Sequence, residues 1–205
     1  TRFVVARMPE VHFGPGMLAQ LPQLIGQTGR RILLVTGAAS FVGSPRYGAL
    51  MDALMHTGID VFQTNVPGEP SPALVDETVA RFRDKGLDWV VAIGGGSVMD
   101  AGKAISAMLL QAESVCAFLE GRETAKHDGR KLPFIAVPTS SGTGSEATKN
   151  AVLSEIGGHG FKSSLRHDNF VPNMALIDPE LMCSCPPAVT AACGLDALTQ
   201  LLEAY

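Results

Sequence analysis

The stretch that most constrains this chain is residues 88–107, DWVVAIGGGSVMDAGKAISA. Trp89-Val90-Val91-Ala92-Ile93 is an unbroken apolar run of strand length, the pattern of a strand buried on both faces. Gly94-Gly95-Gly96 then lets the backbone turn sharply and approach a ligand closely, because no Cβ stands in the way. Ser97 is placed to cap a helix, with Asp100 three residues on as a shorter-armed capping box. Met99, Ile105, Met108 and Leu109 give that helix an irregular apolar side suited to burial. Strand, glycine turn and helix start leave free N–H groups and a positive dipole end aimed at one spot. The dipole alone favours a phosphate there by roughly 0.3–1 kcal/mol. The competing reading, a tight βα turn with no ligand, suits one glycine better than three in a row.

The remaining composition bounds what such a unit belongs to. The 205 residues fit one sizeable domain, or one domain and the start of another, and the formal net charge is -4. Acidic and basic residues are interspersed, so no nucleic-acid footprint is visible. No apolar run approaches the roughly 18 residues of a membrane span, and the opening TRFVVAR lacks the apolar core of a signal peptide. Cys183, Cys185, Cys193 and the distant Cys116 have neither a disulfide framework nor paired CxxC spacing. A reducing, cytoplasmic location is therefore expected.

In order along the chain, Phe3-Val4-Val5 and Val11-His12-Phe13 suggest an N-terminal hairpin closing at Met8-Pro9-Glu10. Met17, Leu18, Leu21, Leu24 and Ile25 recur at helical spacing despite Pro22, and Ile32 to Thr36 is a buried strand. Ser44-Pro45 and Ser71-Pro72 each give a cap followed by a first-turn proline, opening helices on either side of a strand from Ile59 to Thr64. After the glycine unit, Gly121 to Lys131 reads as a surface loop and Phe134 to Val137 as a fourth buried strand. Thr148 to Leu153 and Phe161 to Leu165 are two further extended pieces. Met174-Ala175-Leu176-Ile177-Asp178 forms the last strand, and Pro186-Pro187 starts a helix running to Tyr205. Strands alternating with helices imply an α/β fold with an open, doubly wound, mainly parallel sheet.

In such sheets ligands bind outside the carboxyl ends of the strands, at a topological switch point. Three loops qualify: Gly37 to Gly43, Gly94 to Ser97, and Pro138 to Glu146. The first, Thr36-Gly37-Ala38-Ala39-Ser40, resembles the opening of the short-chain dehydrogenase loop TGxxxGxG. Phe41 stands where that pattern needs its second glycine, and Tyr47 is followed four residues on by Met51, so the Tyr-x-x-x-Lys pair is missing. That reading fails on both counts. The third loop, PTSSGTGSE, offers hydroxyls from Thr139, Ser140, Ser141, Thr143 and Ser145; its plainer reading is a turn capping its own backbone. Lys162, judged by its surroundings alone, is a solvated strand lysine. Asp196 and Gln200 are four apart and share one helix face, a half-site for a divalent ion in form only. A Gln amide oxygen is a poor ligand for iron or zinc, and a polar helix face with Glu203 explains the spacing better.

Taken together, GGGSVMDAGKA (94–104), PTSSGTGSEAT (138–148), ALIDPEL (175–181) and GLDALTQLLEAY (194–205) resemble the iron-containing, group III alcohol dehydrogenases. Gly68-Glu69-Pro70-Ser71-Pro72 is also similar to that family's stretch before its third helix. The resemblance covers nearly the whole chain. It implies a dehydroquinate-synthase-like fold, with residues 1–182 a Rossmann-like dinucleotide-binding domain and residues 183–205 the start of an all-helical metal and substrate domain.

Residue by residue, the resemblance implies that Gly95, Gly96 and Ser97 bind the cofactor pyrophosphate, with Asp100 supporting the loop. Thr139, Ser140 and Thr143 match the second cofactor loop, where the family usually has Thr at the place of Ser140. Lys162 matches the lysine near the cofactor ribose. Asp196 falls on the first metal ligand, and Gln200 stands where the family has a histidine, so Fe²⁺ or Zn²⁺ is expected to bind weakly or not at all. Gly37 occupies the place of the aspartate of NAD-preferring members; a glycine leaves room for a 2′-phosphate, so the cofactor is NADP or NAD with the balance toward NADP.

The function implied is hydride transfer between that cofactor and a small alcohol, aldehyde or ketone, in a homodimer. Three alternatives stand beside it: a metal-independent reductase resembling the maleylacetate reductases, a nucleotide-binding module without turnover, and a lyase of the dehydroquinate synthase kind.

Overall fold

The structure is a computed structural model that describes residue 2, residues 6–158 and residues 160–203. Six strands form one sheet: β1 (Glu10–Phe13), β2 (Arg31–Gly37), β3 (Asp60–Val66), β4 (Trp89–Gly94), β5 (Phe134–Pro138) and β8 (Met174–Ile177). Their spatial order is β1-β8-β5-β4-β2-β3, and every pairing is parallel. Two further strands, β6 (Asn150–Glu155) and β7 (Phe161–Arg166), make a separate antiparallel hairpin with Val152 opposite Ser164. The helices are α1 (Leu21–Gly26), α2 (Pro45–His56), α3 (Pro72–Phe82), α4 (Gly96–Met108) and α5 (Pro187–Glu203).

The continuous apolar runs follow from this layering. Successive side chains of β2 and β4 point to opposite faces, and both faces are covered. Leu33, Val35, Val90 and Ala92 pack with Val75 and Val79 of α3 and Met99 and Ile105 of α4. Ile32, Leu34, Val91 and Ile93 pack with Leu21 and Ile25 of α1 and Leu50 and Leu54 of α2. A parallel sheet with helices on both faces is the doubly wound architecture that the alternation of elements predicts. Proline opens α2, α3 and α5 at the first helical position, and Ser71 Oγ accepts from Leu74 N at 3.2 Å, as its cap signal requires.

One expectation lies outside the described residues and another needs amendment. The first arm of the N-terminal hairpin, residues 3–5, lies outside the described residues; β1 itself runs parallel to β8, with Val11 opposite Ala175. Ser97 is not the cap of α4. Gly95 takes that place in extended conformation (φ -77°, ψ -173°), without a side-chain bond, and Ser97 falls in the first turn. Asp100 accordingly does not close a capping box but turns toward β6. Among the described residues no helix is long and apolar enough to cross a membrane.

Candidate cofactor site

From β2 the chain proceeds outward to β3, whereas β4 continues to β5 and β8 on the other side. The crevice between the carboxyl ends of β2 and β4 is therefore the switch point, and it opens between Gly37 and Gly94. The three loops singled out from the sequence all leave strands at this end.

The glycines are needed here for close approach, since none of Gly94, Gly95 and Gly96 has a positive φ. A Cβ on Gly94 would lie 2.6 Å from Val98 Cβ, and one on Gly96 would lie 2.8 Å from Thr143 Cγ2. One on Gly95 would reach Ser140 Oγ at 3.3 Å. The PTSSGTGSE loop thus packs directly onto the glycine turn, and Thr139 N donates to Gly94 O at 2.9 Å to hold it there. The first intrahelical bonds of α4 run from Val98 N and Met99 N to Gly95 O, both at 3.1 Å. The N–H groups of Gly96 and Ser97 precede them and are left to a ligand or water, at the positive end of a 13-residue helix.

Two cavities flank this turn. One, of about 360 Å³, is lined by Ser40, Phe41, Gly95, Thr139, Ser140 and Cys185, among others. The second, of about 330 Å³, is lined by Gly96, Ser97, Asp100, Thr143, Lys162, Asp196 and Gln200 together with Glu69 and Asn150. Ten of the eleven residues singled out from the sequence therefore line one or the other. Gly37, the eleventh, lines neither; it ends β2, where an added Cβ would touch only Val98 Cγ2 at 3.7 Å.

Glu69 and Asp100 line the second cavity and Lys103 is buried behind it; sequence reasoning missed Glu69 and Lys103. Glu69 accepts from Ser97 Oγ at 3.1 Å, and from Ser154 Oγ and Lys162 Nζ at 3.3 Å each. Desolvation acts to raise its pKa, but the hydrogen bonds from Lys162 and Ser97 outweigh it and hold the carboxyl below its ordinary value. Asp100 moves the other way: burial raises its pKa against the bonds from Ser145 Oγ at 2.5 Å and Val152 N at 3.2 Å. Lys103 is wholly buried, and that burial lowers its pKa to about 8 despite the nearby carboxylates of Asp100 and Glu146. The only sequence signal for Glu69 is its place in the Gly68–Pro72 stretch; for Lys103 it is a cation set among apolar helix positions.

The donor set fits a dinucleotide: free N–H groups at an uncapped helix, hydroxyls opposite, and a lysine across the cavity. It does not fit a metal ion. Asp196 and Gln200 do come together at the second cavity, but Gln200 Nε2 donates to Gly142 O at 3.2 Å. Among the described residues no three His, Cys, Asp or Glu gather to hold an ion. Iron or zinc requires more donors than one carboxylate and one amide.

This chain belongs to the iron-containing alcohol dehydrogenase family, whose profile matches residues 9–179. It is 36% identical over 198 residues to long-chain-alcohol dehydrogenase 1 of Geobacillus thermodenitrificans, covering 96% of this chain and 49% of that protein. The NADPH-dependent butanol dehydrogenase of Clostridium saccharobutylicum is 32% identical over 209 residues, covering 100% of this chain and 51% of the relative. Among solved structures, sulfoacetaldehyde reductase from Bifidobacterium kashiwanohense in complex with NAD⁺ superposes with a TM-score of 0.87 at 32% identity, covering 100% of this chain and 54% of that one. The chain spans about half the length of these relatives.

Proposed function

We propose that this chain is the dinucleotide-binding half of an NAD(P)-dependent alcohol dehydrogenase that moves hydride between the cofactor and a small alcohol, aldehyde or ketone. The observation that carries the reading is the uncapped start of α4 facing the Thr139, Ser140 and Thr143 loop, with Lys162 lining the second of the two cavities between them. In this reading the N–H groups of Gly96 and Ser97 bind the pyrophosphate, and the hydroxyls of Thr139, Ser140 and Thr143 orient it. Asp100 holds the loop through Ser145. Lys162, paired with Glu69, presents a cation to the ribose. The bound nicotinamide supplies the redox chemistry; the protein's part is to fix its face and exclude water.

NADP is the preferred cofactor because Gly37 puts no carboxylate at the end of β2 to repel a 2′-phosphate. The NADPH-dependent relative supports this choice. Residues 1–182 form the cofactor domain, and residues 183–205 open a helical domain that supplies the substrate wall. The exposed Leu195, Leu198, Leu201 and Leu202 of α5 support that boundary, since they form an apolar surface suited to further helices. The protein works as a cytoplasmic homodimer without nucleic-acid or membrane partners.

Titrating the protein at its natural length with NADPH and NADP⁺, then following NADPH oxidation with a panel of short aldehydes and ketones, tests the reading. Binding with turnover supports it; absence of binding sinks it. Gln200 in place of a histidine favours one second reading, a nucleotide-binding module, and binding without turnover on any carbonyl would select it.

A further inference from the structure

Lys103 does not itself line either cavity. It lies on α4, fully buried, where the neighbouring helix positions are filled by Met99, Ala104 and Ile105. Its Nζ donates to Ser145 O and Asn150 O at 2.8 Å each, to Thr148 Oγ1 at 3.1 Å and to Ser145 Oγ at 3.2 Å. An ammonium carries three N–H groups, so four oxygens share them and the cage is saturated only while the lysine is charged. Asp100, one turn earlier, lies 4.0 Å from Nζ and takes Ser145 Oγ and Val152 N. Two opposite charges on one helix face thus grip the segment joining the PTSSGTGSE loop to β6.

That grip lies along the second cavity and reaches the glycine turn in one further bond. Ser145 N donates to Thr143 Oγ1 at 3.3 Å, and Thr143 is the side chain that packs on Gly96. We propose that Lys103 is a positioning residue for the cofactor: through Ser145 it sets Thr143 against the glycine turn, and it relaxes that setting when it loses its proton. The inference rests on the cofactor reading above. Helix packing gives no reason for a cation here, because an apolar side chain would fill the position without burying charge.

The groups facing Nζ are Asp100 from its own helix and Glu146 from the loop, and both favour the charged form; burial opposes them more strongly and brings the titration to about 8. Above that pH a neutral amine keeps two N–H groups for four oxygens. Some of the loop's acceptors then lose their partner.

The test is the NADPH dissociation constant of the natural-length protein, read by nucleotide fluorescence from pH 6.5 to 9.5. The wild type is expected to bind on the order of tenfold more weakly at the alkaline end, with the break near pH 8. Lys103→Met should bind about tenfold more weakly already at pH 7 and show no break. A purely structural lysine would lower the melting temperature of that variant and leave the break in place. Lys131, whose amine also titrates at about 8, lies before β5, at the opposite end of the sheet; Lys131→Met should keep the break. A flat wild-type profile, or a break surviving in Lys103→Met, overturns the proposal.

Should Lys103→Met fail to fold, hydrogen exchange on the cofactor-free wild type decides. Protection of the amides of residues 145–152, corrected for intrinsic rate, falls through pH 8 if the proposal holds; unchanged protection refutes it. If NADPH binds at no pH, the cofactor reading fails, and the same exchange profile still judges the role of Lys103 in the loop.

Discussion

Helices α4 and α5 line the same cavity and are held there by different physics. Ten of the 13 residues of α4 are buried, and its contribution to the site is backbone N–H, small glycines and a buried ion pair. None of the 17 residues of α5 is buried; Leu195 is 65% exposed and Leu201 72%. Its contribution is two side chains, Asp196 and Gln200, and its described ties to the cofactor loop are the Gln200 hydrogen bond and the close approach of Gly142 to Cys193. The sheet-borne half of the site is therefore fixed by the core and tolerates little change. The α5 half rests on a few surface contacts and takes substitution cheaply.

The largest effect expected from this difference is at glycine. A Cβ on Gly102 of α4 would stand 2.7 Å from Ala92 Cβ and 2.9 Å from Phe134 Cε2. Overpacking a core commonly costs about 1–3 kcal/mol, and a whole leucine at this contact should exceed it. Gly102→Leu is expected to abolish cooperative unfolding by circular dichroism. A Cβ on Gly194 of α5 meets nothing within 4 Å, so Gly194→Leu should leave stability unchanged or raise it by roughly 0.5–1 kcal/mol through helix propensity. If both variants unfold alike, the contrast between the helices is wrong.

A second test concerns the charge that α4 buries. Lys103 is lowered from 10.5 to about 8 by burial, so the folded state releases its proton before the unfolded chain does. Below pH 8 the full cost of burying the ammonium is present; between pH 8 and 10.5 the unfolded state binds more protons, and stability contributed by this group rises with pH. Relative to Lys103→Met, the wild type should gain on the order of 3 kcal/mol across that window, read from urea midpoints. This gain in folding stability coincides with the expected weakening of cofactor binding. A cation retained against stability is what a positioning role predicts. A parallel pH dependence in the two proteins would remove Lys103 from that role.

Smaller in free energy but closer to function is Gly96→Ala. The added methyl meets Thr143 Cγ2 at 2.8 Å, and Thr143 can yield by turning its side chain. Folding should then be nearly unaffected, while NADPH binding weakens about tenfold, or ~1.4 kcal/mol, because the hydroxyl facing the cavity has moved. Calorimetric titration beside a thermal melt separates the two effects. Equal losses in both would mean that the glycine turn is packing alone.

How much of this was legible in the sequence follows from the distance over which each feature is specified. The buried strand β4, the turn after it and the two-faced burial of the sheet are written in consecutive residues, because apolar runs and glycines act locally. The hydroxyl loop after β5 and the shared face of Asp196 and Gln200 are legible for the same reason. The partners of Lys103 lie 42 and 47 residues away, and Glu69 meets Lys162 across 93. No periodicity encodes such pairs; only the packing of the β6–β7 hairpin against α4 brings them together. The cap of α4 also depends on a distant partner. Ser97 has the right chemistry, yet the chain stays extended through Gly95, and the serine turns to Glu69 instead.

The smallest expected effect probes α5 directly. Gln200 Nε2 bonds Gly142 O at 3.2 Å in an exposed setting, where water competes for both groups. Gln200→Ala should cost about 0.5 kcal/mol or less, since a solvated hydrogen bond contributes at the low end of the usual range. Leu198→Ser, at a side chain 52% exposed, should stay within roughly ±0.5 kcal/mol in this 205-residue chain. In a longer polypeptide whose added helices cover α5, the same leucine becomes core, and the loss should grow to several kcal/mol. Comparing the two lengths by urea denaturation places the domain boundary. A large loss in the short chain would show that α5 is anchored as firmly as α4, and the division of the site into a fixed half and an adaptable half would fall.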